Sequence, residues 1–198
     1  PLNGVMTVAT NRIFEGKRNM SQSNTNLVWV DLEMTGLCPE TCVIVEVAMI
    51  ITNRELKVID KPLNVAVWQP PEVLSRMEPY VANMHKNSGL MARIEQSRLS
   101  LAGAEKQMME LMTKHCAYGT APLCGNTIGQ DRRFLVKYMP QVDGYLHYRN
   151  IDVSTVKELG LWWYGAKYIK PDDGKHTALH DIQQSIEEMR YLRGSVFK

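Results

Sequence analysis

The apolar run Leu27-Val28-Trp29-Val30 leads into Asp31-Leu32-Glu33-Met34 and a Thr35-Gly36 turn. Alternate residues of a strand share a face. The stretch is therefore predicted to be a strand that buries Leu32 and leaves Asp31 and Glu33 side by side at its C-terminal end. Residues 42–52, rich in Val and Ile, read as a long buried strand with Glu46 in its middle, facing solvent or bonded near the site and without a catalytic role. Asn53-Arg54 supplies a turn, and residues 56–59 and 63–68 continue in β-like alternation broken by Pro62. The opening is expected to be a three-stranded antiparallel meander.

Helical spacing then takes over. Pro70-Pro71 predicts a short helix over residues 70–77, closed by Pro79, and residues 80–86 and 89–96 read as short helices around a Ser88-Gly89 break. Ser100 is a good N-cap for a helix to about His115, with Leu101, Ala104, Met108, Leu111 and Met112 at helical intervals. Residues 121–125 predict a short strand, 130–138 a helix stopped at Pro140, and 149–153 another strand, after which Ser154 caps a helix to about Trp163. An Asp172-Asp173-Gly174 turn leads into a last helix over residues 176–191, whose buried stripe is Leu179, Ile182, Ile186 and Met189. Strands first, then alternating helix and strand, predict an α/β protein in which helices flank a mixed sheet, the meander extended by parallel strands.

Residues 1–25 break the pattern. They are polar, rich in Asn and Ser and without periodicity, and read as a flexible N-terminal arm or a remnant of processing, with Met20 a plausible natural start. Arg12, Lys17 and Arg18 hint at a transit peptide, against which Glu15 and the lack of an amphipathic stretch count. Residues 26–198 are expected to form a single domain, in keeping with a length of 198 residues, 44% hydrophobic and 22% charged. No run approaches the roughly 18 apolar residues that would span a membrane. A net charge of +2 is too small for a long electrostatic track along nucleic acid but suits a short substrate gripped locally. Cys38, Cys42, Cys116 and Cys124 have no C-x-x-C spacing, and no His lies near the first pair to complete a zinc site. Reduced thiols in the cytoplasm, or in a mitochondrion for a eukaryotic source, are the expected state. The twelve methionines fall on helical faces as core filler.

Two carboxylates on one strand face repel unless a cation lies between them, and hard divalent ions prefer oxygen ligands. Further carboxylates appear downstream. Asp131 falls in the first turn of the 130–138 helix, where the dipole favours an acid whatever its role. His176-Thr177-Ala178-Leu179-His180-Asp181 puts a His at the mouth of the last helix and Asp181 off its apolar stripe. Taken singly, His176 and Asp181 are ordinary surface residues. Together with Asp31, Glu33 and Asp131 they form a set able to hold two divalent ions about 4 Å apart, with a neutral His to take a proton from water. That is equipment for phosphodiester hydrolysis.

At this point the chain resembles the oligoribonucleases, 3′→5′ exoribonucleases of the DEDDh class with a ribonuclease H-like fold. The resemblance rests on Val30-Asp31-Leu32-Glu33-Met34-Thr35-Gly36-Leu37, the block from Cys124-Gly125-Asn126 to Arg133-Phe134, and Lys137-Tyr138-Met139-Pro140. Leu146-His147-Tyr148-Arg149, the block from Ile151 to Leu159, and His176 to Asp181 complete it. It implies that Asp31, Glu33, Asp131 and Asp181 ligate two Mg²⁺ or Mn²⁺ ions and that His176 is the general base; should the base lie elsewhere, His180 is the next candidate. It also implies that Leu37 wedges between bases and that Tyr80 and His85 contact the substrate, Tyr80 standing where the family usually carries Trp. Lys175 likewise replaces a small residue beside the His. Tyr148, Arg149, Ser154 and Thr155 would cap the 5′ phosphate in a homodimer, part of the cap coming from the partner subunit. The implied substrates are RNAs two to five nucleotides long. A DNA-directed proofreading exonuclease and a binding module without chemistry are the alternatives. The first lacks a use for the cap residues, and the intact acidic set argues against the second.

Overall fold

A computed structural model describes residues 22–170 and 177–197. The arm up to residue 21, the Asp172-Asp173-Gly174 turn, Lys175 and His176 lie outside the described residues. Residues 22–25, read from sequence as part of the arm, are tied to the body: Gln22 donates to the Thr113 carbonyl and the Ser23 amide to that of His115. The packed chain thus begins before Asn26.

Five strands form one mixed sheet in the order β3-β2-β1-β4-β5. β1 (Leu27–Met34), β2 (Ile44–Thr52) and β3 (Leu63–Ala66) make the expected antiparallel meander. β4 (Leu123–Gly125) and β5 (Asn150–Asp152) add parallel neighbours beside β1. All of β2 is buried, as its Val/Ile content requires. Residues 56–59 contribute only an isolated bridge from Val58 to Thr52, because Leu56 takes a positive φ and turns the chain. Gly125 lets β4 end tight against β1, since a Cβ there would lie 3.0 Å from the Val30 carbonyl oxygen.

Helices cover both faces. The short ones between β3 and β4 are α1 (Pro71–Leu74), α2 (Pro79–Asn87) and α3 (Leu90–Gln96), followed by α4 (Leu101–His115), where Ser100 accepts from the Gly103 amide as the expected cap. α1 is shorter than its prolines suggested. After β4 come α5 (Gly129–Tyr138) and α6 (Pro140–Tyr145), and after β5 come α7 (Val153–Tyr164) and α8 (Ala178–Val196). α6 was not expected. Pro140 ends α5 but also opens α6, because proline at the first helical position loses no hydrogen bond. α7 starts earlier than predicted: its cap is Asp152, whose carboxylate accepts from the Ser154 amide.

Strand alternation sorts the core. Val28, Val30 and Leu32 of β1 pack with Ala104, Met108 and Met112 of α4 and Phe134 and Leu135 of α5. Leu27 and Trp29 pack on the other face with Ile182, Ile186 and Met189 of α8. Burying each such side chain contributes about 1.5–3 kcal/mol. The Trp29 indole N–H, which would be costly to bury alone, donates to Thr52 Oγ1 at 3.0 Å. Beyond Trp29 the α8-facing side of β1 turns acidic, and the candidate site begins there.

Candidate active site

Asp31 and Glu33 continue the face of Leu27 and Trp29, so the alternation that built the core also presents both carboxylates toward the start of α8. There Thr177 caps the helix by accepting from the His180 amide, and the Asp181 amide donates to the Thr177 carbonyl at 2.9 Å. Asp31, Glu33 and Asp181 each offer a carboxylate oxygen within 4.8 Å of the others, and all three residues are half-buried. Asp131 enters from α5. It is buried and accepts from the Leu32 amide at 3.0 Å, the peptide between the two β1 acids. All four acidic residues singled out from sequence thus meet at the C-terminal end of β1.

No arrangement of acids is electrostatically neutral about this. Burial, then the Asp131, Glu33, Asp181 and Glu46 charges, hold Asp31 well above the usual carboxylate range. Burial first, then Glu46, Asp181 and Asp131, push Glu33 up to about 8. Burial raises Asp131 to about 7 even though the Leu32 amide pulls it back down. Such a cluster binds either protons or a cation. An all-oxygen donor set of this reach fits a hard divalent ion.

A stability profile follows from those shifts. Glu33 and Asp131 bind a proton more tightly in the folded chain than in the unfolded one, where carboxyls titrate near about 4. Between about pH 4 and pH 8 the folded state holds the extra protons, so raising the pH lowers stability across that window. In chelator the melting temperature is expected to fall from about pH 5 to about pH 8, and a saturating divalent cation should recover more of it at the upper end. A melting temperature that climbs over this range without metal would contradict the mutual repulsion.

Glu46 belongs to the site although the sequence reading assigned it no role. It is 0% exposed, sits opposite Glu33 in the β1–β2 register, pairs with Arg93 of α3 and accepts from the Ala178 amide at 3.4 Å. One signal was available: a single acid inside a fully apolar strand must have a partner. His85 is similarly placed under the site, not on its surface. It is 1% exposed, its Nε2–H donates to the Met34 carbonyl at 2.8 Å, and Nδ1 lies 3.9 Å from a Glu33 oxygen.

The candidate base contacts are open to solvent, Leu37 at 72% and Tyr80 at 79%. The loop carrying Leu37 is clamped to α5: Gln130 donates to the Leu37 carbonyl, Lys137 and Tyr138 to that of Pro39, and Tyr138 also to that of Cys42. Tyr148 is 73% exposed, stacked on His147 at 4.5 Å, with the Arg149 guanidinium 5.1 Å above its ring. The Ser154 hydroxyl donates to Asn126 Oδ1 and accepts from the Thr127 amide, joining the ends of β4 and β5. Thr155 is exposed one residue further on. The cysteines carry none of this chemistry. Cys116 and Cys124 are buried, and burial pushes the Cys116 thiol up to about 12.

Residues 28–189 match the RNase T exonuclease family model. The oligoribonuclease of Vibrio parahaemolyticus is 46% identical over 186 residues, covering 90% of this chain and 99% of that one. Those of Ruthia magnifica and Marinobacter nauticus are 48% and 47% identical, over 85% and 87% of this chain and 94% and 96% of theirs. Among solved structures, exonuclease I of Methylocaldum szegediense superposes with a TM-score of 0.61 at 18% identity over 88% of this chain, and the zinc-bound E. coli exonuclease I–ssDNA complex with 0.63 at 15% over 86%. This chain spans only 41% and 40% of those two structures, and the likeness is one of fold.

Proposed function

The chain belongs to the oligoribonuclease family and is a 3′→5′ exoribonuclease, and from that premise we propose that it finishes very short RNAs, two to five nucleotides long, to mononucleotides. The observation that carries the reading is the convergence of Asp31, Glu33 and Asp181 within 4.8 Å, with Asp131 locked to the Leu32 amide. These four residues would hold two divalent ions, Mg²⁺ or Mn²⁺. Such ions neutralise charge at the scissile phosphate and lower the pKa of water. His176 is the proposed general base, a role that imidazole, with a free pKa near about 6.5, suits near neutrality. His85, whose Nδ1 lies 3.9 Å from a Glu33 oxygen, is proposed as a further contact for the substrate beside that carboxylate.

Binding energy must come from few contacts, because a net charge of +2 gives little grip on a long strand. Stacking on Leu37 and Tyr80 is the proposed grip on the bases, at roughly 1–3 kcal/mol for a base on an aromatic ring. Tyr148, Arg149, Ser154 and Thr155 are the proposed cap on the 5′ phosphate, where a charge-assisted bond contributes about 1.5–3 kcal/mol. Homodimerisation, with part of the cap from the partner subunit, completes the proposal. A cap at a set distance from the carboxylates favours the shortest strand.

The test is a chain-length series of 5′-phosphorylated RNA and DNA, from dinucleotide upward, assayed with Mg²⁺ and with Mn²⁺. The dinucleotide RNA should be the best substrate. Arg149→Ala should lose roughly 10- to 150-fold on it, the equivalent of one charge-assisted bond, and far less on a seven-nucleotide RNA. Equal losses at every length would remove the cap, and equal cleavage of DNA at every length would favour the DNA-directed exonuclease instead.

A further inference from the structure

Arg132 follows Asp131 on α5, and the two side chains reach in different directions. Asp131 is bonded to the Leu32 amide of β1. Arg132 extends to the loop between α6 and β5, which carries Tyr148 and Arg149. Its Nη1 donates to the His147 carbonyl at 3.1 Å, the Tyr148 carbonyl at 3.1 Å and Asn150 Oδ1 at 2.7 Å. Its Nε donates to Asp143 at 2.9 Å, and only 16% of the side chain is exposed. The Nε–H takes Asp143 and the two Nη1 hydrogens are shared among the three loop acceptors, in directions fixed by the planar fork, unlike the rotating donors of an ammonium.

The loop needs such a tether. Tyr148 and Arg149 are both exposed, so no buried side chain at either position holds the backbone there. The His147 amide is tied to the Ala121 carbonyl at 2.8 Å and the Arg149 amide to His147 Nδ1 at 3.1 Å, while the His147 and Tyr148 carbonyls turn to Arg132. The far side of the cap is fixed in a comparable way. Asn126 accepts from Ser154 and donates to Ser185 of α8, whose hydroxyl donates to the Asp181 carbonyl. Each part of the cap is therefore bonded, through one side chain, to an element that carries a site carboxylate.

We infer that Arg132 is a positioning residue that fixes the spacing between the site carboxylates and the Tyr148–Arg149 loop, and with it the length of strand that is preferred. The inference rests on the proposed 5′-phosphate cap. The loop's place relative to α5 governs that cap whether it closes on its own strand or, in a homodimer, on the partner's.

Arg132→Gln and Asn150→Ala test it, with 5′-phosphorylated and 5′-hydroxyl forms of a dinucleotide and a seven-nucleotide RNA as substrates. A misplacement of about 1 Å can cost on the order of 100-fold. Arg132→Gln should raise KM for the 5′-phosphorylated dinucleotide about 10- to 100-fold, with kcat within about threefold and seven-nucleotide cleavage little changed. It should also lose the discrimination between 5′-phosphate and 5′-hydroxyl ends. Asn150→Ala, which removes one exposed acceptor and should not threaten folding, is expected to shift KM in the same direction by less. A fall in kcat at unchanged KM, or equal losses at both lengths with 5′-phosphate dependence kept, would overturn the inference. Should Arg132→Gln fail to fold, an unchanged KM in Asn150→Ala would do so. A wild-type enzyme indifferent to the 5′ phosphate would instead overturn the cap, and this inference with it, before any variant is made.

Discussion

Asp31→Asn is expected to lower turnover of a dinucleotide by about 10³-fold or more while raising the melting temperature of the metal-free protein. The two effects have one cause. Asp31 shares its surroundings with Glu33, Asp131 and Asp181, and burial together with those charges holds its carboxyl well above the usual range. Asn keeps the shape and removes the charge, so repulsion falls and the apo fold gains. The same change removes an anionic oxygen from a site that would stabilise several kcal/mol of charge at the reacting phosphate, and each ~1.4 kcal/mol corresponds to about tenfold in rate. The stability gain should be largest near pH 8 and shrink toward pH 5, where Glu33 and Asp131 of the wild type are already protonated. Saturating divalent cation should reverse the order of stability. Initial rates with Mg²⁺ or Mn²⁺ and thermal melts in chelator read both halves. Near wild-type turnover would refute the assignment of Asp31 as a ligand.

His176→Ala should cost on the order of 10²–10⁴ in kcat, the usual contribution of general-base catalysis. Unlike Asp31→Asn it should leave divalent-ion binding and substrate KM close to wild type, because a base enters only when the proton moves. The acid limb of the rate–pH profile should flatten in the variant, because the group that titrates it is gone. Calorimetric titration with Mn²⁺ alongside a pH series separates base from ligand. An unaltered acid limb would transfer the role elsewhere, and His180, half-buried in the first turn of α8, would be tested next.

What was legible in the sequence is what local pattern controls. Period-two alternation put Leu32 in the core and Asp31 and Glu33 on a common face, and the same pattern named the meander. Helical periodicity placed Asp181 off the stripe formed by Ile182, Ile186 and Met189, and helix-start chemistry marked Asp131. Each of those inferences needed only the backbone geometry of one element. The tertiary structure decided everything that depends on which elements meet. Glu46 could have faced solvent, but α3 brings Arg93 onto it and α8 brings the Ala178 amide, so it became a buried neighbour of the site. His85 was read as a substrate contact, and what the sequence did not give is its burial beside Glu33, because α2 folds its inner side against the end of β1. Ser154 was read as a helix cap, yet its hydroxyl is taken by Asn126 and Thr127 in the turn after β4, leaving the cap to Asp152. The tether from Arg132 to the Tyr148–Arg149 loop spans residues 16 apart in sequence. Periodicity carries information over a few residues along one element. Partners of buried charges and hydrogen bonds are chosen by the packing of elements distant in sequence, and no local pattern encodes that choice.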